Sequence, residues 1–304
     1  VIDPSPQTRL ARELAHELAM ALAQSGPLGL RQACTLALVR TRGLDETGAL
    51  AVLEDDAELA GILAGPTGEK ALTTLAAHLA GLALARSCLG CATCCRVSSP
   101  TLYAEDLICL GPGGLAKGQL FTLRTGELVH SARLGRVMAL PAELIKLREA
   151  SAGGGCAFLS GSRCAVYARR PLQCRHLECW SDCHAGQLGD RQRLTRADIY
   201  AGAPATLQIM AEYEARLPAD RLNDLLAWAG RGEPQASQEA LALMELDHCL
   251  RAGVSGRYGY PAEELNLLLG RPSWELARSH GLALSLDEAG RPTLDPVRTR
   301  RAYT

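Results

Sequence analysis

Three features of the 304-residue sequence predict a mainly α chain with an irregular, metal-stabilised, cysteine-rich centre and little β-structure. Apolar residues recur at three- and four-residue steps on either side of the centre, the spacing that gives a helix one apolar face. Aromatics are scarce, with two Phe, three Trp and seven Tyr, so the core must be built from Ala, Leu and Val, which favours helices. Ten of the twelve cysteines lie between Cys88 and Cys183, where the helical period breaks down.

The elements follow in order. An N-terminal helical region spans 1–86. Asp3-Pro-Ser-Pro supplies capping chemistry, and Leu10, Leu14, Leu18, Ala21 and Leu22 form an apolar stripe that ends near Gly26-Pro27. Residues 48–63 and 68–86 repeat the pattern. In the latter Leu72, Leu75, Leu79 and Leu82 share one face, and the helix leads directly to Cys88. The centre, 87–196, is cut by glycine clusters (Gly111, Gly113, Gly114; Gly153 to Gly155) and by Pro100, Pro112, Pro141 and Pro171 into short pieces such as Leu120 to Leu123. A region so rich in loops needs something other than a large apolar core to hold it. Helical periodicity returns in a C-terminal region, 197–304, at 206–216, 219–229, 237–250 and 261–269, and a small hairpin is expected around Ala289-Gly290-Arg291.

Composition narrows the function. With 33 acidic and 32 basic side chains there is no basic excess to neutralise phosphates, so nucleic acid is not an expected partner. No apolar run reaches the roughly 18 residues of a membrane span, because 71–85 is broken by Thr73, Thr74 and His78. Val1-Ile-Asp-Pro lacks the charged-then-apolar pattern of a signal peptide, which sets the expectation of a cytoplasmic protein.

The cysteines carry the chemistry. Cys88, Cys91, Cys94 and Cys95 fall within one short stretch, at two-residue gaps that let a turning chain aim successive sulfurs at one point. The small residues Gly90 and Ala92 permit the tight path. A second set, Cys156, Cys164, Cys174, Cys179 and Cys183, has longer gaps, so the fold must gather its members. Disulfides suit short secreted chains and would be strained between adjacent cysteines. Packing as small hydrophobes suits Cys34, Cys109 and Cys249, which sit singly among Leu and Ala. Thiolate ligation of a soft or borderline metal suits the rest. The run from Cys88 to Cys94 has the spacing of three ferredoxin ligands, whereas zinc usually takes paired knuckles. An iron–sulfur cluster is therefore favoured over zinc.

Four thiolates on one Zn2+ leave a net charge near about −2, so cations and donors are expected nearby. Arg163, Arg169, Arg170, Arg175, Arg191, Arg193 and Arg196 lie in the second half of the centre, as a solvated basic face or as donors. Arg170 and Arg175 are the candidates for donating to sulfurs or holding an anionic ligand. His176 and His184 each stand near a cysteine, and surface histidine is the preferred reading for both. Gly111-Pro-Gly-Gly reads as a turn, since GxxxxGK[ST] does not occur.

The ordered set CxxCxxCC, Tyr103-Ala-Glu105-Asp106-Leu, CxFL and CxxYxxRPxxCR over about residues 85–183 resembles the YkgJ-type cysteine-cluster family, described as a zinc- or iron-chelating domain. The resemblance implies that Cys88, Cys91, Cys94, Cys95, Cys156, Cys164, Cys174 and Cys179 are metal ligands in one or two sites, with Cys109 and Cys183 as extras; Cys183 either replaces or supplements Cys179. The wider family is similar to flagellin lysine N-methylases, which implies S-adenosylmethionine as a cofactor; the helical flanks, 1–86 and 197–304, fall outside the resemblance and are where a protein substrate or partner is expected. Two functions are thus expected: metal binding through clustered thiolates, and as the alternative a methylase or redox enzyme using the cluster.

Overall fold

The computed structural model describes residues 5–131, 135–150, 155–177, 188–189 and 191–297. Helices dominate, and among these residues strands occur only as four two-stranded antiparallel pairs, as the composition predicts. The chain divides into two compact units, one drawn from Val1–Ser99, Glu149–Arg170 and Cys174–Asp190, the other from Pro100–Arg148, Pro171–Gln173 and Arg191–Thr304.

The first unit is a helical bundle that continues into the cysteine segments. Helix α1 (Pro6–Arg42) starts at Ser5, whose hydroxyl accepts the Thr8 N–H at 3.2 Å, with Pro6 in the first turn, where a missing N–H costs nothing. At Gly26 the backbone turns left-handed (φ 61°), and Pro27 restarts the helix. The end expected near Gly26-Pro27 is thus a kink, after which the chain stays helical to Arg42. Helices α2 (Glu46–Asp55) and α3 (Ala57–Ala64) are each capped by an aspartate, Asp45 accepting from Gly48 N–H at 2.6 Å and Asp56 from Glu58 and Leu59 N–H, both at 3.0 Å. Helix α4 (Glu69–Leu84) follows. Its stripe is the predicted one: Leu75 and Leu79 are fully buried, with Leu72 and Leu82 packed at the margin, against Leu14, Leu18, Leu30, Leu38, Val52, Leu53 and Leu59. Each such leucine contributes roughly 1.5–3 kcal/mol, so aliphatic packing is the main favourable contribution in the bundle. Cys34 is 0 % exposed in this core and burial pushes its thiol up to about 12, as a packing residue.

In the second unit β1 (Leu120–Leu123) pairs with β4 (Leu144–Leu147), and β2 (Leu128–Ser131) with β3 (Arg136–Ala139). Pieces of four residues have too short a period to be read from sequence, and only β1 stands out as an apolar run. After β5 (Leu159–Ser160), β6 (Arg163–Cys164) and helix α6 (Leu172–His176), which belong with the cysteine segments, come helices α7 (Arg196–Ile199), α8 (Pro204–Arg216), α9 (Ala219–Ala229), α10 (Pro234–Tyr258), α11 (Leu265–Leu268) and α12 (Ser273–Ser279), then the hairpin β7 (Leu282–Leu286) and β8 (Pro292–Pro296). Helix α10 outruns the expected 237–250 because the apolar stripe fades at Arg251 while nothing breaks the helix before Gly259. Cys249 is exposed on it, so the expected packing role fails there: it lies outside the buried line of Met244, Asp247 and Val254. The segment at Gly111 is a turn, as expected, closed by Gly114 N–H to the Gly111 carbonyl at 2.9 Å.

This unit has a polar interior. Arg124, 2 % exposed, donates to Glu214 at 3.0 Å and to the Leu217 carbonyl at 2.7 Å. Arg196 joins Glu143, Glu214 and the Leu268 carbonyl at 2.7–2.9 Å. These side chains tie strands and helices together with charge-assisted bonds, stronger than neutral ones and tolerable in a buried place because they are paired. No helix among the described residues is long and apolar enough to cross a membrane.

Candidate metal centre

Helix α4 delivers the first cysteine. Beyond Leu84 the chain turns, and Gly90 N–H donates to Cys88 Sγ at 3.4 Å, the bond a knuckle uses to stabilise a sulfur that carries negative charge. Gly90 (φ 72°) and Ala92 (φ 59°) both adopt the left-handed conformation that makes the path tight. Ala92 is the one non-glycine residue to do so among those described, at a cost of roughly 1–2 kcal/mol. Local strain of this kind is held by the surroundings and is concentrated at functional sites. The short helix α5 (Thr93–Val97) begins directly after it and carries Cys94 and Cys95 in its first turn, their sulfurs 3.9 Å apart. Two thiolates on one tetrahedral ion with metal–sulfur bonds of about 2.3 Å stand about 3.8 Å apart. The pair therefore fits a shared metal.

The second set is brought in by backbone pairing. Cys156 N–H donates to the Cys95 carbonyl at 2.7 Å, and β5 and β6 fold back so that Cys164 pairs with Leu159, whose N–H bonds the Cys156 carbonyl at 3.0 Å. A 3₁₀ turn at Tyr167–Arg169 and helix α6 then supply Arg170 and Cys174. Gly155 is what lets the two sets approach: a Cβ there would lie 3.0 Å from the carbonyl oxygens of both Cys95 and Arg96. Gly155→Ala is accordingly expected to push the Cys156 segment off α5, lowering stability by about 1–3 kcal/mol and the metal held per chain by about threefold or more. Urea unfolding and metal analysis check both.

The thiols feel one another. Cys94 is lowered to about 6, chiefly because it accepts the Cys95 S–H, against the opposing effect of burial; backbone N–H groups and the Arg170 charge add to the lowering. Cys95 is raised by giving that bond to Cys94, then by burial and by the charges of Cys94, Cys174 and Cys164. Burial raises Cys156, with Cys164 and Cys94 adding to it, and pushes Cys174 up to about 12, with Cys94, Cys156 and Cys164 adding and Arg170 opposing. Cys95, Cys156 and Cys174 are thus each raised by the charges of neighbouring thiols, Cys94 and Cys164 among them, and like charges here oppose ionising together.

The remaining candidates are placed differently. Cys91 is 7 % exposed and packs with the aliphatic core of the bundle. Cys88 is half-buried. Cys109 belongs to the second unit. Cys179, Cys183 and His184 lie outside the described residues. Arg170 stacks on the Tyr167 ring, 3.6 Å from its centroid, and donates Nε to the Tyr167 carbonyl at 3.0 Å. Arg175 and His176 follow Cys174 on α6. Most of the other arginines expected near sulfur are engaged elsewhere: Arg163 with Asp55, Arg191 with Glu105, and Arg196 inside the second unit, where carboxylates meet their charge. Among the described residues no group of three or more His, Cys, Asp or Glu side chains stands at spacing fit to hold one ion. Sequence reasoning missed Asp45 and Arg96. Arg96 Nη2 meets Asp45 at 2.9 Å and its Nη1 donates to the Cys91 carbonyl at 3.2 Å. A single Arg beside a cysteine pair gave no signal of a partner 51 residues upstream.

No curated protein and no solved structure matches the chain. Residues 87–196, about a third of the chain, match the family model CxxCxxCC, described as a "Putative zinc- or iron-chelating domain", and this is the family that the cysteine-bearing segment is similar to.

Proposed function

We propose that this chain binds iron through its central cysteines, as an iron–sulfur cluster, with zinc as the runner-up. The observation that carries the reading is that backbone pairing brings the Cys156 segment onto the Cys94–Cys95 pair, whose sulfurs are 3.9 Å apart, Cys156 N–H bonding the Cys95 carbonyl at 2.7 Å, with Cys164 and Cys174 near enough for their charges to act on the same thiols. These five thiols exceed the four cysteines of a single structural zinc and equally those of one iron–sulfur cluster, so two neighbouring sites account for them better than one does, and the preference for iron rests on the ferredoxin-like spacing from Cys88 to Cys94. The donor set is all sulfur and therefore soft, which suits iron–sulfur or zinc over magnesium or calcium. Cys88 and Cys91 of the knuckle, with Cys179 and Cys183, complete the set. When bound, the metal would supply the positive charge that lets adjacent thiolates coexist. The chain's part is to hold the sulfurs: Gly90 N–H bonds Cys88, Cys156 N–H ties the two sets together, and Arg170 brings charge toward Cys94 and Cys174.

The protein is best placed in the cytoplasm, where thiols stay reduced, with its helical flanks available to a protein partner. Anaerobic purification followed by metal and sulfide analysis and an absorbance spectrum tests the reading. Iron with acid-labile sulfide in a coloured protein is expected. A colourless zinc-loaded chain without sulfide moves the assignment to zinc, and a chain that takes up neither metal ends it. Saturable binding of S-adenosylmethionine by the loaded protein would shift the function to the methylase alternative.

A further inference from the structure

The matched domain begins at residue 87, yet two of the side chains that hold its first knuckle, Arg42 and Asp45, come from earlier in the chain. Arg42, 7 % exposed at the end of α1, reaches the segment between α4 and Cys88. Its Nη1 donates to the Leu82 carbonyl at 3.3 Å and to the Ala85 carbonyl, and its Nη2 donates to the Ser87 carbonyl at 3.1 Å. One rigid guanidinium thus gathers three carbonyls over the last six residues before the first thiol, a fork that the point charge of a lysine cannot reproduce. On the other side Asp45, the cap of α2, holds Arg96, and Arg96 in turn holds the Cys91 carbonyl. Contact is close as well as polar: a Cβ on Gly48, in the first turn of α2, would lie 2.8 Å from Thr93 Oγ1 and 3.2 Å from the Cys91 carbonyl. Cys91 itself packs into the bundle core.

The knuckle is therefore held at its start by Arg42 of α1 and at Cys91 by Arg96, which the α2 cap Asp45 fixes, while Gly48 of α2 packs closely against Cys91 and Thr93. We propose that Arg42 and the Asp45–Arg96 pair are positioning residues for the metal centre: the N-terminal bundle holds the strained path through Gly90 and Ala92 in place, so that the thiols are oriented before metal arrives. The idea rests on the metal-binding reading above. Its physical basis is that a left-handed alanine persists only where its neighbours over-determine it, and that groups orienting metal ligands are worth about 10–100-fold in affinity. None of the three residues contributes a ligand.

The test uses the full chain, stripped of metal under reducing conditions and loaded with Zn2+ alone. Release to an excess of a chromogenic chelator is then followed in time. Arg42→Met is expected to release Zn2+ at least about tenfold faster than wild type. Asp45→Asn keeps the α2 cap, since asparagine caps as well as aspartate, but loses the charge on Arg96; it is expected to release about threefold faster or more, with the thermal midpoint of the metal-free chain near that of wild type. Should Arg42→Met fail to fold, Asp45→Asn decides alone. Release from Asp45→Asn at the wild-type rate overturns the positioning role while leaving metal binding intact. Failure of the wild type to retain Zn2+ or iron overturns the reading beneath it, and the two failures are told apart by the wild-type measurement.

Discussion

A chain carrying Cys94→Ser together with Cys95→Ser is expected to retain less than about a tenth of the wild-type metal, while its helical content at room temperature stays close to normal. These two thiols stand where the two cysteine sets meet: Cys94 influences Cys95, Cys156 and Cys174, and Cys95 accepts through its carbonyl the N–H that ties Cys156 in place. Serine keeps the backbone and that carbonyl bond, so the second set remains docked and only sulfur is lost. A hydroxyl is a poor ligand for a soft metal, so the change removes the two adjacent sulfurs without a substitute at their positions. Cys249→Ser is the control, since Cys249 is exposed on α10 in the other unit, and its metal content is expected to equal that of wild type. Metal per chain by elemental analysis, with far-ultraviolet circular dichroism for helicity, reads both variants. Metal content at the wild-type level in the double variant would remove Cys94 and Cys95 from the ligand set. Binding should also weaken as pH falls, because each thiol that ligates must first lose its proton, and burial holds Cys174 near about 12 when no metal is present.

How much of this was legible in the sequence follows from the range of each signal. The bundle was readable because its determinants are local and repeated: Leu75 and Leu79 recur at helical spacing, and both are buried where the stripe places them. The same holds for α8 and α9, close to the expected 206–216 and 219–229. Helix α12 was not, since its core contacts, Leu276 and Ala277, are too few for a period, and its start is fixed by Ser273 N–H bonding a carboxylate on another helix, at Asp247. The first knuckle showed itself through spacing and small residues, and Gly90 and Ala92 do adopt the tight conformation that reading requires. The gathering of Cys156, Cys164 and Cys174 could not be read from their irregular gaps, because it depends on the Cys156–Cys95 backbone bond and on the missing side chain of Gly155, which were visible only as one more glycine in a run. Charge was ambiguous for a related reason. Seven arginines near the second set read as a solvated basic face or as donors, because sequence distance does not say which carboxylate each will meet; Arg196 is buried against Glu143 and Glu214.

The largest loss of stability is expected at Asp247→Ala, in the polar interior of the second unit. Asp247 is 2 % exposed and accepts three bonds at 2.7 Å, from the Tyr213 hydroxyl, Arg251 Nε and Ser273 N–H, joining α8, α10 and the start of α12. Alanine leaves the half-buried Arg251 guanidinium without its carboxylate and two further donors without an acceptor, so a cost of about 3–5 kcal/mol is expected, much of it the penalty of an unpaired charge. Asp247→Asn keeps one acceptor oxygen but turns an amide toward Arg251, and should fall between. Burial by itself would raise this carboxyl, yet the Arg251 charge, the Ser273 N–H and the Tyr213 hydroxyl outweigh it, and the group ends below the ordinary carboxylate range. The sign of the pH effect follows. A carboxyl depressed in the folded state contributes its full stability above the unfolded value of about 3.9, and loses it as pH falls through the folded value. Urea unfolding followed from about pH 7 down to about pH 2 should therefore show the wild type losing stability on acidification, with a shallower loss in Asp247→Ala. Equal acid slopes would mean that the ion pair contributes little beyond packing. Because Asp247 supplies no thiol, the metal held per folded chain of the variant is expected to match wild type, which separates the stability of this interior from the chemistry of the cysteine centre.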